Sequence, residues 1–583
     1  MEKAELKRLI DVAAGRESAD FVIKNSRIVD VLGGQILEGD IAVCGSYIAG
    51  IGDYHSENEI DAQGRYAAPG FIDSHIHIES SYVTPEEIGR LLVPHGTTTI
   101  IADAHEIANV CGLTGLRYMI EAGKGTALDI RWMLPSCVPA APFEHAGAVI
   151  DAEAMREPLA GGEFLGLGEF MDFPGVIGAE SGVLDKLTEA KSHSLPVDGH
   201  APGIRGNAVN AYAAARIRTD HECASPEEMQ AKIARGMYVL LREGSACHDL
   251  RTLLAGVTAE NSRRCLLCTD DCQPRTIREH GHLEHHIRLC VQAGLSPVTA
   301  IRMATLNAAE CYGLHELGAL APGYRANIVL LDDLRDFHVN QVWTSGRPAA
   351  ENGRYLPPVI RHDITAVKGS LHIGGFTKEK LRLPLRSDRV YAIGIMPGGV
   401  VTRKETVTVR RDTNGCFVRT PGEDIVKIAV IERHHNTGNV AAALLKGYGL
   451  QRGAVAISIA HDSHNIITVG VTDEDMAFAV EKLAEQEGGI VLVENGQVLE
   501  SMPLPVAGLM SDQSGQWVEQ RLEQLHRTAH ERLGISPDVE PVMTLCFMSL
   551  PVIPELKLTD SGLFDVTRFQ FIPPEAPPKT EEV

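Results

Sequence analysis

Apolar runs of strand length alternate with helix-like segments through the middle of the chain. Stretches such as PEEIGRLLVPHG and SPEEMQAKIARG separate the runs. Strand alternating with helix is typical of a parallel sheet. Eight such units in about 250 residues predict an α/β fold with a closed (β/α)₈ barrel. The predicted strands are 69–78, 97–103, 130–138, 164–171, 195–200, 216–221, 237–242 and 264–270.

Shorter β runs with Gly and Asn turns flank this region on both sides. They occupy residues 18–68 and return at 318–350. We expect residues 1–68 and 314–356 to pair as one small β-sandwich domain beside a barrel of residues 69–313.

The alternation stops after Pro357, although Gly-rich strands and helices continue. This change predicts a separate C-terminal α+β domain over residues 360–575. The last segment, 576–583, is rich in Pro and charged residues, and we expect it to be disordered.

Charge and composition narrow the function classes. The 583 residues carry 54 Lys and Arg against 77 Asp and Glu, a net charge of −23. Such a surface repels polyanions, so nucleic acid is not an expected partner. Early charges at the N-terminus, scattered cysteines and the lack of a run of about 20 apolar residues predict a cytoplasmic enzyme with no membrane partner.

Metal-ligand residue types stand at the ends of five predicted strands. His75 and His77 are two apart on the first strand, so both imidazoles share one face. Barrel enzymes place their active sites at the carboxyl ends of the strands. A chance explanation would require six independent coincidences, because six such residues stand at these strand ends. They are His75, His77, Glu169, His200, His221 and Asp270.

This set suits two divalent metal ions. We expect His75 and His77 to hold one ion, and His200 and His221 the other. Because two cations a few ångströms apart repel each other, a carboxylate must lie between them, and Glu169 is the candidate. Nitrogen and oxygen ligands suit Zn²⁺, Mn²⁺ or Fe²⁺.

Asp270 can ligate one ion and face the water between the two. Bridging two cations would lower the pKa of that water and provide hydroxide near neutral pH.

The motif PGFIDSHIH, the later His, His and Asp, and GALAPGYRANIVLL resemble the amidohydrolase superfamily. Within it, nearly the whole chain is similar to the bacterial adenine deaminases. The segments that carry this likeness are HIHIESS (75–81), DAHEIANVCG (103–112), GLGEFMDFPGV (166–176), DGHAPG (198–203), CTDD (268–271), HHNTGNV (434–440), AISIAHDSHNIITVG (456–470) and MPLPVAGLMS (502–511). Ala104 departs from the Pro that is more usual in the DxHE segment.

The resemblance implies hydrolysis of adenine to hypoxanthine and ammonia, in purine salvage. A hydroxide bridging the metals would attack C6, and Asp270 would carry its proton. Glu169 would bridge the metals where many amidohydrolases use a carboxylated lysine. We expect Mn²⁺ or Fe²⁺, with Zn²⁺ also compatible, and a homodimer.

The ring nitrogen beside C6 must also gain a proton. The candidate donors are His105, Glu106 and Glu79. Each could instead hold a metal-bound imidazole by its other nitrogen, and the sequence leaves both roles open.

In the C-terminal run AISIAHDSHNIITVG, apolar stretches lead into and out of the polar cluster HDSHN. We expect His461, Asp462 and His464 to help bind the purine, from a loop that closes over the barrel mouth in its own chain or a partner's. An ordinary turn is the alternative.

Two other function classes remain at this stage. One is an amidohydrolase that acts on a different aminopurine or a cyclic amide. The other is a barrel retained as a non-enzymatic scaffold, although such relatives usually lose ligands. The sequence contains no GxxxxGK[ST] phosphate loop, which favours a free base over a nucleotide.

Overall fold

The chain begins with a helix and five strands. The computed structural model describes residues 1–396 and 400–577. Helix α1 spans Lys3–Ala13, which the strand pattern did not predict. Strands β1 and β2 pair antiparallel, whereas the two last strands pair parallel to β1. The strands are β1 (Phe21–Asp30), β2 (Gln35–Cys44), β3 (Tyr47–Gly52), β4 (Glu59–Asp61) and β5 (Tyr66–Pro69).

Nine short strands, all paired in parallel, form the middle of the fold. They are β6 (Phe71–His77), β7 (Thr97–Asp103), β8 (Asp129–Leu134), β9 (Phe164–Phe170), β10 (Val197–Gly199), β11 (Thr219–Asp220), β12 (Tyr238–Arg242), β13 (Cys265–Cys268) and β14 (Asp270–Asp271). One sheet has the order β10-β9-β8-β7-β6-β14 and the other β11-β12-β13. This curled parallel sheet confirms the predicted α/β class.

The two parallel sheets approach each other at both ends. Only Thr269 separates β13 from β14 in the chain. At the other end, the Arg218 N–H donates to the Val197 carbonyl at 2.8 Å. The carboxyl ends of all these strands therefore lie at one edge.

Helices cover the parallel strands. They are α2 (Pro85–Leu92), α3 (His105–Gly123), α4 (Ala152–Ala160), α5 (Phe173–Gly178), α6 (Ser181–Ser192), α7 (Asn207–Ala214), α8 (Pro226–Ile233), α9 (Leu250–Leu253), α10 (Pro274–His280), α11 (Leu283–Gln292), α12 (Pro297–Met303) and α13 (Leu306–Tyr312). The Ser225 side chain caps α8, and Pro226 occupies its first turn, where a missing N–H is tolerated. Because helices and neighbouring strands cover both faces of β6, all seven of its residues are buried.

Four strands then return to the first sheet. They are β15 (Ile328–Leu331), β16 (Val339–Thr344), β17 (Arg347–Glu351) and β18 (Arg354–Tyr355). Strand β15 pairs antiparallel with β5. Strands from both flanks of the parallel region therefore share one nine-stranded sheet.

The C-terminal region contains an eight-stranded sheet in the order β20-β19-β24-β23-β26-β25-β27-β28. Strands β21 and β22 pair separately, as do β29, β30 and β31. The strands of the whole C-terminal region are β19 (Arg389–Ile395), β20 (Thr402–Thr408), β21 (Arg410–Arg411), β22 (Phe417–Val418), β23 (Ile425–Ile431), β24 (Val440–Lys446), β25 (Ala454–Ile457), β26 (Ile466–Gly470), β27 (Gly489–Glu494), β28 (Gln497–Pro503), β29 (Leu556–Thr559), β30 (Gly562–Asp565) and β31 (Gln570–Phe571). The helices are α14 (Asp473–Glu485), α15 (Gly515–Thr528) and α16 (Met543–Cys546).

Residues 578–583, most of the predicted tail, lie outside the described residues. Within the described part of the chain, none of the helices has the length and apolar character needed to cross a bilayer.

Candidate metal centre and active site

The six predicted ligands converge at the carboxyl ends of the parallel strands. The pairing of β6 with β7 and β14, and of β9 with β8 and β10, brings these ends together. Each side chain belongs to a residue at most 7% exposed. The six are His75 and His77 in β6, Glu169 in β9, Asp270 in β14, and His200 and His221 directly after β10 and β11.

The Glu169 carboxylate lies between two pairs of imidazoles. Its Oε1 is 3.3 Å from His77 Nε2 and 3.9 Å from His75 Nε2. Its Oε2 is 2.7 Å from His200 Nδ1 and 3.3 Å from His221 Nε2. Burial opposes a charge on Glu169, but hydrogen bonds from these imidazoles outweigh it and hold the pKa well below its usual range. Glu169 is therefore an ionised carboxylate with one oxygen directed to each pair.

The donor set fits divalent cations. The ligand atoms of His75, His77 and Asp270 lie within 4.8 Å of one another, as do those of His75, Glu169 and His221. His77 Nδ1 is 3.0 Å from the Asp103 carbonyl, which can only accept, so Nδ1 carries the proton. Nε2 is therefore the nitrogen that faces the other ligands, and after losing the proton it shares with the carboxylates it would offer its lone pair to a metal ion. Neutral imidazoles with carboxylates are ligands that Mn²⁺, Fe²⁺ and Zn²⁺ accept.

Asp270 has a second, unpredicted partner. Its Oδ1 is 3.1 Å from His77 Nε2, and its Oδ2 accepts from Arg242 Nη1 at 2.7 Å. Arg242 also donates to Glu222, which lies 3.4 Å from His221 Nε2. Burial opposes a charge on Asp270, but His77 and Arg242 outweigh it and hold the pKa well below its usual range.

Both groups were missed by the sequence analysis. Arg242 ends the apolar strand YVLLR, so the criterion that selected Glu169 could have found it. No sequence feature points to Glu222 except its position directly after His221.

The three candidate proton donors occupy different positions. His105 and Glu106 line the cavity beside the ligand cluster, with His105 Nδ1 3.4 Å from Glu169 Oε1. Glu79 does not line it. Its Oε1 accepts from the Ile107 N–H at 3.2 Å, in the first turn of α3. Burial raises the pKa of Glu79 to about 7.

The segment 461–465 reaches this cavity in its own chain. His461 Nδ1 is 2.8 Å from Glu106 Oε1, and Asp462 Oδ1 is 3.6 Å from His105 Nε2. His461 and Asp462 line the cavity, whereas His464 does not. His464 Nε2 instead contacts Oε2, the other carboxylate oxygen of Glu106. The structure thus brings all three predicted loop residues near the ligand cluster, but only His461 and Asp462 to the cavity surface.

Apolar residues form another part of the cavity wall. His461 stacks on Phe547, with ring centroids 4.6 Å apart. The C-terminal region also contributes Val400 and two aliphatic side chains from the run MTLCFMSLPVIPE, which has no polar motif that would point to a site. The apolar lining consists of Met171, Val400, Phe547, Leu550 and Ile553.

Comparisons with known proteins cover both halves of the chain. Residues 66–349 match the amidohydrolase family, and residues 399–570 match the adenine deaminase C-terminal domain. The chain is 63% identical to adenine deaminase 2 of Desulfotalea psychrophila, over 99% of this chain and 100% of that protein. It is 52% identical to adenine deaminase of Ligilactobacillus salivarius, over 98% of this chain and 99% of that protein. Among solved structures, phenylurea hydrolase B aligns with 59% of this chain and 100% of its own, at 19% identity and a TM-score of 0.42.

Proposed function

The chain belongs to the adenine deaminases of the amidohydrolase family, and we propose that it converts adenine and water to hypoxanthine and ammonia. The observation that carries the proposal is the Glu169 carboxylate set between two imidazole pairs. This arrangement lies in a cavity lined partly by residues of the adenine deaminase C-terminal domain match. The product is a purine base suited to salvage.

The six clustered side chains would hold two divalent ions. In this proposal His75 and His77 would hold one ion together with Asp270. His200 and His221 would hold the other, and Glu169 would serve both. When bound, two such ions lower the pKa of a shared water and supply a nucleophile near neutral pH. We expect Mn²⁺ or Fe²⁺, with Zn²⁺ compatible.

Asp270 is the proposed carrier of the proton released by the attacking water. Its Oδ1 faces the ligand cluster, while Arg242 holds Oδ2. The guanidinium keeps the carboxylate ionised and fixes its orientation, so the free oxygen accepts the proton and passes it toward the departing amine.

Glu106 is the proposed donor to the ring nitrogen beside C6. Its Oε1 lies at the cavity, 2.8 Å from His461 Nδ1. Although burial opposes the charge, Glu106 raises the pKa of His461 to about 9. The pair therefore holds one proton at neutral pH, and Glu106 can deliver it as the ring nitrogen becomes basic. Glu79 would then support the segment that carries Glu106, through its bond to Ile107.

The cavity combines surfaces that a purine base requires. Phe547, Leu550 and Ile553 offer apolar contact to the flat faces of the ring. Asp462 Oδ2 is buried and has no hydrogen-bond partner among the described residues. A ring N–H of free adenine would satisfy that oxygen, whereas the sugar of a nucleoside replaces one such N–H.

We also propose that the two parallel sheets close as one (β/α)₈ barrel of residues 69–313. The β-sandwich domain of 1–68 and 314–356 would flank it, and residues 360–575 would form a C-terminal α+β domain. A homodimer remains a prediction.

Steady-state assays of the Mn²⁺-loaded protein test the function. We expect adenine to be deaminated at least a hundredfold faster than adenosine or AMP, about the discrimination of 2–3 kcal/mol expected when a buried polar group loses its partner. Comparable turnover of adenosine would contradict the free-base specificity. Turnover of a cyclic amide without turnover of adenine would show a different amidohydrolase.

A further inference from the structure

Two histidines of the C-terminal region hold the Glu106 carboxylate. His461 Nδ1 contacts Oε1 at 2.8 Å, and His464 Nε2 contacts Oε2. Glu106 lies in the first turn of α3, just after a parallel strand, whereas both histidines follow β25. The contact with His464 joins residues 358 positions apart. The proposed acid is therefore held by side chains from the opposite half of the chain.

The position of the His464 proton follows from the backbone. The Ala460 N–H donates to His464 Nδ1 at 3.1 Å, and the His464 N–H donates to the Ala460 carbonyl at 2.7 Å. Because Nδ1 accepts, the proton of a neutral ring must be on Nε2, where it donates to Glu106. Burial lowers the pKa of His464, which favours the neutral ring.

His464 and His461 differ in their access to the cavity. His461 lines the cavity and stacks on Phe547. His464 is completely buried and does not line it. A bound purine can therefore reach His461, whereas His464 contacts Glu106 at Oε2, the oxygen that His461 does not hold. With Oε2 held by His464, Oε1 is the oxygen left to face the cavity.

We infer that His464 is a positioning residue for the deamination: its Nε2–H orients the Glu106 carboxylate so that Oε1 faces the ring nitrogen. This inference rests on the proposed function. It replaces a purine-binding role for His464 with a role exerted through Glu106. The effect should appear in kcat, because His464 does not contact the substrate.

Two amide substitutions separate the two nitrogens of the imidazole, because each can replace only one of them. In His464→Gln, the side-chain amide places an N–H near the position of Nε2. In His464→Asn, the shorter side chain can accept from Ala460 as Nδ1 does, but it cannot reach Glu106. We expect His464→Gln to keep kcat for adenine within tenfold of the parent. His464→Asn should lower kcat by roughly a hundredfold, the lower end of the effect of a positioned proton donor, with KM within about twofold.

The parent's turnover of adenine tests the proposed function separately, and metal content and Tm are measured for every variant. Parent-like kcat in His464→Asn, or a loss confined to His464→Gln, would overturn the inference. A rise in KM with an unchanged kcat would also overturn the inference.

If His464→Asn lowers the Tm or the metal content, a double-mutant cycle with Glu106 still tests the inference. In Glu106→Gln, adding His464→Asn should change kcat by less than twofold, because the group that it positions is already disabled. A further hundredfold loss would show that His464 acts independently of Glu106.

Discussion

Neutralising Asp270 is the most direct test of the chemistry. Asp270→Asn keeps the size of the side chain and can still accept from Arg242, which holds Oδ2 at 2.7 Å. It removes the charge and the proton-accepting oxygen that faces His77. Because His75, His77 and Glu169 remain as ligands, we expect the variant to retain most of its metal but to lose the proton carrier.

Neighbouring carboxylates cannot replace Asp270. Asp271 accepts from the Ser80 hydroxyl, and Glu222 is paired with Arg242. Glu169 is enclosed by imidazoles. We therefore expect the full effect of general-base removal, a fall in kcat of about 10²- to 10⁴-fold. At about 1.4 kcal/mol per decade this adds roughly 3–5 kcal/mol to the activation free energy of deamination.

The assay follows the loss of adenine absorbance in protein of known metal content. Asp249→Asn is a matched control, because Asp249 also pairs with Arg242, at 3.0 Å, but has no contact with the ligand cluster among the described residues. It should retain kcat within a few-fold of the parent. Near-normal turnover in Asp270→Asn would refute the role of Asp270 as proton carrier.

Three further substitutions test the site and its surroundings. Glu169→Ala should lose at least one ion per chain together with activity, unlike the exposed Glu163→Ala on the same segment, and elemental analysis showing two retained ions would refute the bridge. Arg242→Met removes the cation that stabilises ionised Asp270, so the acid limb of kcat/KM should move to higher pH; an unmoved limb in a variant with parental metal content would contradict this. Burial lowers the pKa of Lys557 to about 7, whereas the unfolded chain keeps that proton to about pH 10. The free energy of unfolding should therefore rise by about 2 kcal/mol more between pH 7 and 9 in the parent than in Lys557→Met, and denaturant titrations that show equal rises would contradict it.

The regular alternation of strands and helices made the α/β class predictable. Apolar runs that end in His77, Glu169 and Asp270 also indicated which side chains meet, because parallel strands present their carboxyl ends at one edge. Short strands were harder to delimit. The runs predicted at 195–200 and 216–221 contain only Val197–Gly199 and Thr219–Asp220 as strand.

Contacts between distant segments could not be read from local patterns. The run EHGHLEHH at 279–286 has the polar composition of a solvated helix start, yet the residues His282 and His286 are buried. His282 Nδ1 is 2.7 Å from Thr97 Oγ1, in a strand far away in sequence. Similarly, no periodicity relates Glu106 to His464. Such pairs depend on how whole units pack, which single-segment propensities do not encode.

The nine-stranded sheet also has a consequence for biosynthesis. Strand β5 pairs with β15, which is translated only after the entire parallel region. Until then, β5 presents an unsatisfied edge on a nascent chain, a recognised route to mispairing. Completion of that sheet is therefore a late event with a large loop to close, and ribosome-bound chains should become protease-resistant there only once residues 328–355 have left the exit tunnel.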